Sequence, residues 1–322
     1  MINSGSLIRV PMAFIWRRLH SLTGLWLTAY LALHLFTNSQ AALFVGDSGS
    51  GFVKAVNDIR SLPYLPVLEI ILLAIPFAVH MYWGVLYALT GKFDSFRTDG
   101  NAPSLPEYPR NHAYTWQRIT SWILLVLITL HVIQMRFMES PATAAKGTEK
   151  YFIVRVNSDL GLFTLAPRLG YKLFGTDQVV KEQESLKTQE SSLSGGAAPD
   201  TPEGLVLAQE VEQQRQWVKA LEQRPLEPGQ LLVVANNFGT AELMMVRETF
   251  KMPAMLFLYT VFVLSACFHG YNGLWTFMIS WGATLSVASQ RLMRVITNAI
   301  MFLIAFLGLA AIWGTYWINL RY

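Results

Sequence analysis

The 322-residue chain has a single cysteine, Cys267, and it lies inside an apolar run. That excludes an intrachain disulfide framework, a cysteine zinc site, a four-cysteine iron–sulfur cluster and covalent haem attachment through a CxxCH motif. Charge is scarce as well. Only 14% of residues are Asp, Glu, Lys or Arg, and 52% are hydrophobic, whereas soluble domains carry roughly a quarter charged residues. No Lys/Arg block is present, which argues against a nucleic-acid partner, and the net charge of +4 says little about partners. Carboxylates are almost missing from the apolar runs, Glu69 being the one well inside. The composition is that of a membrane protein whose partner is the lipid bilayer.

What remains is five runs long enough to cross a membrane, which needs roughly 20 apolar residues. They lie at about 19–44, 64–90, 119–138, 252–281 and 295–319. The first is too long for the apolar core of a signal peptide. Pro76 sits in the second and predicts a bend before His80. Arg9, Arg17 and Arg18 precede the first run. Lys92, Arg97, Arg110 and Arg118 lie between the second and third, and Arg291 and Arg294 between the fourth and fifth. This asymmetry predicts a cytoplasmic N-terminus and an outside C-terminus.

The expected fold is therefore an all-α transmembrane bundle of five helices with a mixed α/β-like extramembrane insertion. It divides into 1–140, carrying three helices, an extracytoplasmic insertion at 141–250, and 251–322, carrying two. Within the insertion, 151–156 and 230–236 read as strands. Residues 201–223 read as an amphipathic helix with Thr201 as N-cap and Pro202 at its first position, and 181–200 read as flexible.

Four of the six histidines fall well inside the apolar runs, one in each of the first four, with His20 at the edge of the first. A lone histidine in a core is ordinarily bonded to a neighbouring carbonyl. Four such residues are unusual, because ionisable groups are rare in lipid. At about 1.5 Å rise per residue, His34 and His131 lie roughly 24 Å from the inner boundary, and His80 and His269 roughly 15–18 Å. Two levels result, an inner pair (His80, His269) and an outer pair (His34, His131). Two facing histidines can supply both axial ligands of a b-type haem, which predicts two haem b groups. Gly84 and Gly273, one turn after His80 and His269, leave room for a porphyrin edge. His20, Ser21 and Thr23 near the inner end of the first helix are candidates to bond haem propionates, with Gln117 and Thr120 facing inward on the third.

With these residues in view, the chain resembles the cytochrome b subunits of succinate:quinone oxidoreductases (succinate dehydrogenases and fumarate reductases), in the single-chain, five-helix, two-haem form. The stretches that carry the resemblance are "WRRLHSLTGLWLTAYLALHLF", "IPFAVHMYWGVLYAL", "WQRITSWILLVLITLHVIQMR" and "FHGYNGLWTFMISWGAT". The resemblance implies pairing of first with third helix and second with fourth, in agreement with the depths. It also implies an iron–sulfur subunit and an FAD flavoprotein subunit on the cytoplasmic side, membrane quinone (menaquinone or ubiquinone) as acceptor, and residence in a bacterial inner membrane. The chain itself has no flavin motif. Arg17, Arg18, His20 and Arg118 are then expected at the surface facing the iron–sulfur subunit. Asn38, Asp58 and Glu69 are the candidates for a quinone site beside the outer haem, with Glu69 as proton donor or acceptor. Two departures stand out: the long 139–251 connection, and Cys267 where some members carry a glutamate. The readings in competition are a two-haem cytochrome b of a hydrogenase, formate dehydrogenase or nitrate reductase, and a transporter with a histidine proton relay.

Overall fold

The computed structural model describes residues 11–42, 48–93, 95–96, 104–196 and 201–321. Arg9, Arg97 and the end of the first apolar run at 43–44, all used above, lie outside them. The elements in chain order are α1 (Met12–Ser39), α2 (Ser50–Arg60), α3 (Leu65–Glu69), a π turn (Ile70–Ala74), α4 (Ile75–Thr90), α5 (Pro109–Val132), a π turn (Ile133–Met138), β1 (Ala142–Lys146), β2 (Glu149–Asn157), α6 (Leu160–Leu169), β3 (Lys172–Phe174), α7 (Thr176–Gly196), α8 (Pro202–Glu222), β4 (Gln230–Ala235), α9 (Phe238–Thr249), α10 (Pro253–Ser280), α11 (Val287–Leu309), a π turn (Ala310–Gly314) and α12 (Thr315–Arg321).

Among the described residues, five helical stretches are long and apolar enough to cross a membrane: Met12–Ser39, Leu65–Thr90, Pro109–Met138, Pro253–Ser280 and Val287–Ile318. The protein is a helical membrane protein with a small antiparallel sheet. The first, third and fifth helices begin seven to ten residues before the apolar runs do, at Met12, Pro109 and Val287. Hydropathy marks only the lipid-embedded part, while backbone hydrogen bonding continues through polar turns such as "RNHAYTWQR".

The chain forms two compact units. One comprises Met1–Phe36, Pro63–Leu130 and Thr260–Gly308; the other comprises Thr37–Leu62, His131–Tyr259 and Leu309–Tyr322.

In the first unit, a π turn stands just before Pro76, where a bend was expected. Pro76 has no N–H to give the carbonyl four residues earlier, that of Leu72. The Ile75 N–H reaches back to Ile70 O instead, and the Trp26 indole of α1 donates to Leu72 O at 2.5 Å. A freed carbonyl is thus satisfied by a neighbouring helix, as an apolar surrounding requires. Further along, α11 approaches its neighbours at Gly308, where a Cβ would come within 2.6 Å of Val263 and 3.1 Å of Leu35.

The second unit holds the sheet, in the order β1-β2-β4-β3 with all pairs antiparallel. The run "QLLVVA" of β4 is central and covered on both faces, with Leu232, Val233, Val234 and Ala235 at most 2% exposed. One face packs Ile153, Leu232 and Val234 against Trp217, Val218 and Leu221 of α8. Burying a side chain of this kind contributes roughly 1.5–3 kcal/mol. On α8, the Thr201 hydroxyl caps Gly204 N as expected. Helix α9 packs on β2 and β4, and α2 packs on α9. There Gly239 is required, because a Cβ would meet Val53 O at 2.4 Å. Asn57 of α2 accepts from Gly239 N at 2.8 Å and donates to Asn237, the α9 N-cap, at 3.1 Å.

The segment read as flexible differs: residues 181–196 continue α7. Its polar composition hides a helical hairpin with α8, in which Glu182 bonds Gln214 and Lys146, Gln183 bonds Glu222, and Arg215 bonds Glu190. Residues 197–200 lie outside the described residues.

Candidate functional site

His80 on α4 and His269 on α10 bring their ring centroids to 6.3 Å, with planes at 85°. A metal bonded to one nitrogen of each ring at about 2 Å sets the two centroids roughly 6 Å apart, so the spacing admits one iron between them. The ring nitrogens can be assigned from their partners. His80 Nδ1 lies 3.1 Å from His20 O, and His269 Nδ1 lies 3.2 Å from Gln117 O. A carbonyl only accepts, so in both rings Nδ1 carries the proton and Nε2 keeps its lone pair, the state a metal ligand needs.

Gln117 holds His269 from two sides. Besides accepting through its backbone, its amide nitrogen donates to His269 O at 3.0 Å, and Asn272 donates to its amide oxygen at 2.7 Å. Thr120 adds a contact to His269 Nδ1 at 3.4 Å.

His20 stacks face to face on His80, centroids 4.1 Å apart and planes 8° from parallel. Its own Nδ1 is buried and has no hydrogen-bond partner among the described residues. An orphaned ring nitrogen beside the two facing imidazoles suits an anionic partner such as a propionate. Ser21 accepts from the Trp281 indole at 3.2 Å, which leaves its own proton free to donate. Thr23 differs from its expected role: its hydroxyl proton is committed to its own helix, at Leu19 O (2.9 Å) and His20 O (3.0 Å).

Gly84 and Gly273 both have room. A Cβ would meet only His20 at 3.6 Å in the first case and Gln117 at 3.7 Å in the second. The glycine that touches an imidazole is Gly24, where a Cβ would lie 2.8 Å from Cε1 and 3.2 Å from Nδ1 of His80. Its signal in the sequence is a spacing of one turn from His20 on a face that also carries Thr28.

His34 and His131 belong to different units, and each has an aromatic neighbour of its own. Tyr30 stacks on His34 at 5.6 Å and 21°. Tyr259 places its hydroxyl 3.1 Å from His131 Nδ1 and donates to the Gln134 amide oxygen at 3.2 Å. Since that phenol proton goes to Gln134, His131 Nδ1 is the donor to the phenol oxygen. No regularity in the sequence announces Tyr259, which lies ten residues before His269 on another turn of α10.

Among the quinone-site candidates, Asp58 is exposed on α2 and paired with Lys54 at 2.6 Å, and Asn38 lies in the last turn of α1. Glu69 is the last residue of α3. In a regular helix Glu69, eleven residues before His80, would lie on nearly the same face, but that relation is not preserved. A π turn inserts about one residue into the helical register, roughly 100° of rotation, and one lies between them.

Arg118 is 6% exposed, so it does not belong to a docking surface. Its guanidinium bonds Lys92 O and the Tyr114 hydroxyl and closes the connection between α4 and α5. Arg18 bonds Ser280 O at 2.5 Å and lies over the Phe14 and Trp281 rings. Cys267 is buried at 1% exposure. Among the described residues, no three His, Cys, Asp or Glu side chains converge as a metal site.

Fold and site together define a class: a multi-pass helical membrane protein with half-buried histidines carried on membrane helices, two of them spaced for a single metal. Comparison with known proteins gives the particular likeness. Over 302 residues, covering 94% of this chain and 96% of the relative, the chain is 25% identical to the succinate dehydrogenase cytochrome b558 subunit of Bacillus subtilis (strain 168). No protein-family profile matches the chain, and no solved structure matches it.

Proposed function

We propose that this chain is the cytochrome b membrane anchor of a succinate:quinone oxidoreductase, serving electron transfer between an iron–sulfur subunit and membrane quinone. The observation that carries the reading is the His80–His269 pair, spaced for one metal with both Nε2 atoms free, in a chain similar end to end to a cytochrome b558 subunit. His80 and His269 hold an inner haem b, and His34 and His131 an outer one, as their depths in the sequence indicate. When bound, each haem would supply one-electron exchange.

The protein's own residues hold and orient the ligands. The His20 and Gln117 carbonyls fix the inner tautomers, and Tyr259 fixes that of His131. His20 and Ser21 offer donors to the inner haem's propionates, with Gly84 and Gly273 clearing space for its edge. Partners follow from the same reading: an iron–sulfur subunit and an FAD flavoprotein at the cytoplasmic ends of α1 and α5, in a bacterial inner membrane. Glu69, the one carboxylate well inside an apolar run, exchanges protons with quinone at the outer level.

A reduced-minus-oxidised spectrum of the purified protein tests the proposal. The expected result is b-type bands with two haems per chain by haemochrome assay; absence of haem would overturn it. Glu69→Gln should slow quinone-linked turnover while both haems and dye-linked succinate oxidation persist, and full quinone activity in that variant would remove Glu69 from the site.

A further inference from the structure

Helix α6 carries an exposed apolar stripe. Leu160, Phe163, Thr164 and Pro167 fall at i, i+3, i+4 and i+7, one face of a helix, and all are exposed, Leu160 at 81% and Phe163 at 55%. The opposite face is held by protein: Gly161 and Leu162 are buried, and the Tyr171 hydroxyl donates to Leu162 O at 2.6 Å. The stripe is therefore presented outward by a helix with a fixed orientation in its unit.

Its place in the fold says what it meets. Asp159, the N-cap of α6, accepts from Leu162 N at 3.1 Å, from both Arg247 nitrogens at 2.9 and 2.7 Å, and from Lys251 Nζ at 2.6 Å. Lys251 also donates to Asn157 O at 2.7 Å and pairs with Glu248 at 2.7 Å. Burial alone would push the Asp159 carboxyl up; hydrogen bonds from Arg247 and Lys251 outweigh it and hold the group at about 2. The clamp thus stays ionised at physiological pH. Lys251 stands two residues before Pro253, where the fourth membrane-spanning helix begins; Met252, just ahead of it, is 58% exposed and Phe257, in its first turns, 72%. The start of α6 is tied to the level at which this helix enters the membrane.

We propose that α6 lies in the membrane interface, with Leu160, Phe163 and Pro167 against the acyl chains of the leaflet in which α10 begins. The lipid contact of α10 continues sideways onto α6. Arg168, exposed in the last turn, keeps its charge at headgroup level, as long basic side chains do at such boundaries. The inference is independent of the haem assignment.

The test uses the full chain reconstituted in phosphatidylcholine vesicles, with a nitroxide spin label at Phe163→Cys or Leu160→Cys and, for reference, at Glu203→Cys in the exposed first turn of α8. The native Cys267 is buried, and the unmutated chain gives the labelling background. Collision with oxygen, which concentrates in lipid, is compared with collision with a water-soluble nickel chelate. The oxygen-to-nickel ratio at 163 and 160 should exceed that at 203 at least severalfold. A ratio equal to that at 203 would place the stripe in water, and exclusion of both reagents would place it under protein; either result overturns the proposal.

Discussion

Gly24→Ala is the most direct probe of the inner histidine pair. The added methyl would sit 2.8 Å from His80 Cε1, about 0.7 Å inside the roughly 3.5 Å at which carbon atoms come to rest. The ring has little freedom to retreat, since its Nδ1 is bonded to His20 O at 3.1 Å and its face is stacked on His20 at 4.1 Å. A retreat of that size stretches the Nδ1 bond beyond hydrogen-bonding range. Overpacking of this kind costs roughly 1–3 kcal/mol, and the lost bond adds about 1 kcal/mol. At about 1.4 kcal/mol per tenfold, the sum corresponds to a roughly 30- to 700-fold weaker hold on the proposed inner haem. The assay is haem per chain after purification, with a redox titration to identify which haem remains. One haem should be lost and the outer one kept. Two haems with unchanged potentials would refute the reasoning, because His80 would then not depend on its seat against α1.

Replacing His80 or His269 by Ala should abolish the same spectral component, and replacing His131 a different one; loss of one shared component from His80 and His131 variants would show the pairing to be otherwise. Tyr259→Phe keeps the ring and removes the phenol oxygen that receives the His131 Nδ1 proton. It should raise the outer haem's midpoint potential and leave the inner one unmoved, a tenfold change in the oxidised-to-reduced ratio reading as about 59 mV; equal shifts in both haems would count against a local effect. Glu242 on α9 is pushed up by burial to about 7, against the opposing pull of Arg60 and Arg136. From about pH 4.5 to 7 the folded chain therefore keeps a proton that the unfolded chain has lost, and stability falls as pH rises through that window. Glu242→Gln should match the wild type at pH 4 and exceed it by about 3 kcal/mol above pH 7, as read from chemical unfolding; a gain independent of pH would exclude titration as its cause.

The parts of this protein that were legible in the sequence are those governed by one-dimensional regularities. Hydropathy located the five apolar cores, alternation and β-branching located β2 and β4, and Thr201 followed by Pro202 located the start of α8. Depth along each helix sorted His80 with His269, which the fold brings to 6.3 Å. What escaped depends on partners distant in the chain. Gly24 looks like any glycine until His80, from another helix, rests on it. Pro76 signals a bend, but not that the helix answers with a π turn, and that turn moves Glu69 off the face that simple periodicity assigns. Residues 181–196 look flexible because their stabilising contacts are polar and lie on α8. Arg118 reads as a surface charge, yet the connection after α4 folds over it.

The clasp between α2 and α9 has a consequence for how the chain is made. Asn57 and Asn237, which bond each other, are 180 residues apart. At roughly 5–20 residues per second, synthesis leaves α2 without this partner for about ten to forty seconds. Phe52, only 2% exposed in the finished fold, sits on a helix that lacks its α9 neighbour in that interval. Residues 141–250 therefore cannot be treated as a removable cassette. Deleting them strips the cover from a helix encoded ninety residues earlier, and a truncated gene should yield a product that is captured by proteases or chaperones through its α2 segment.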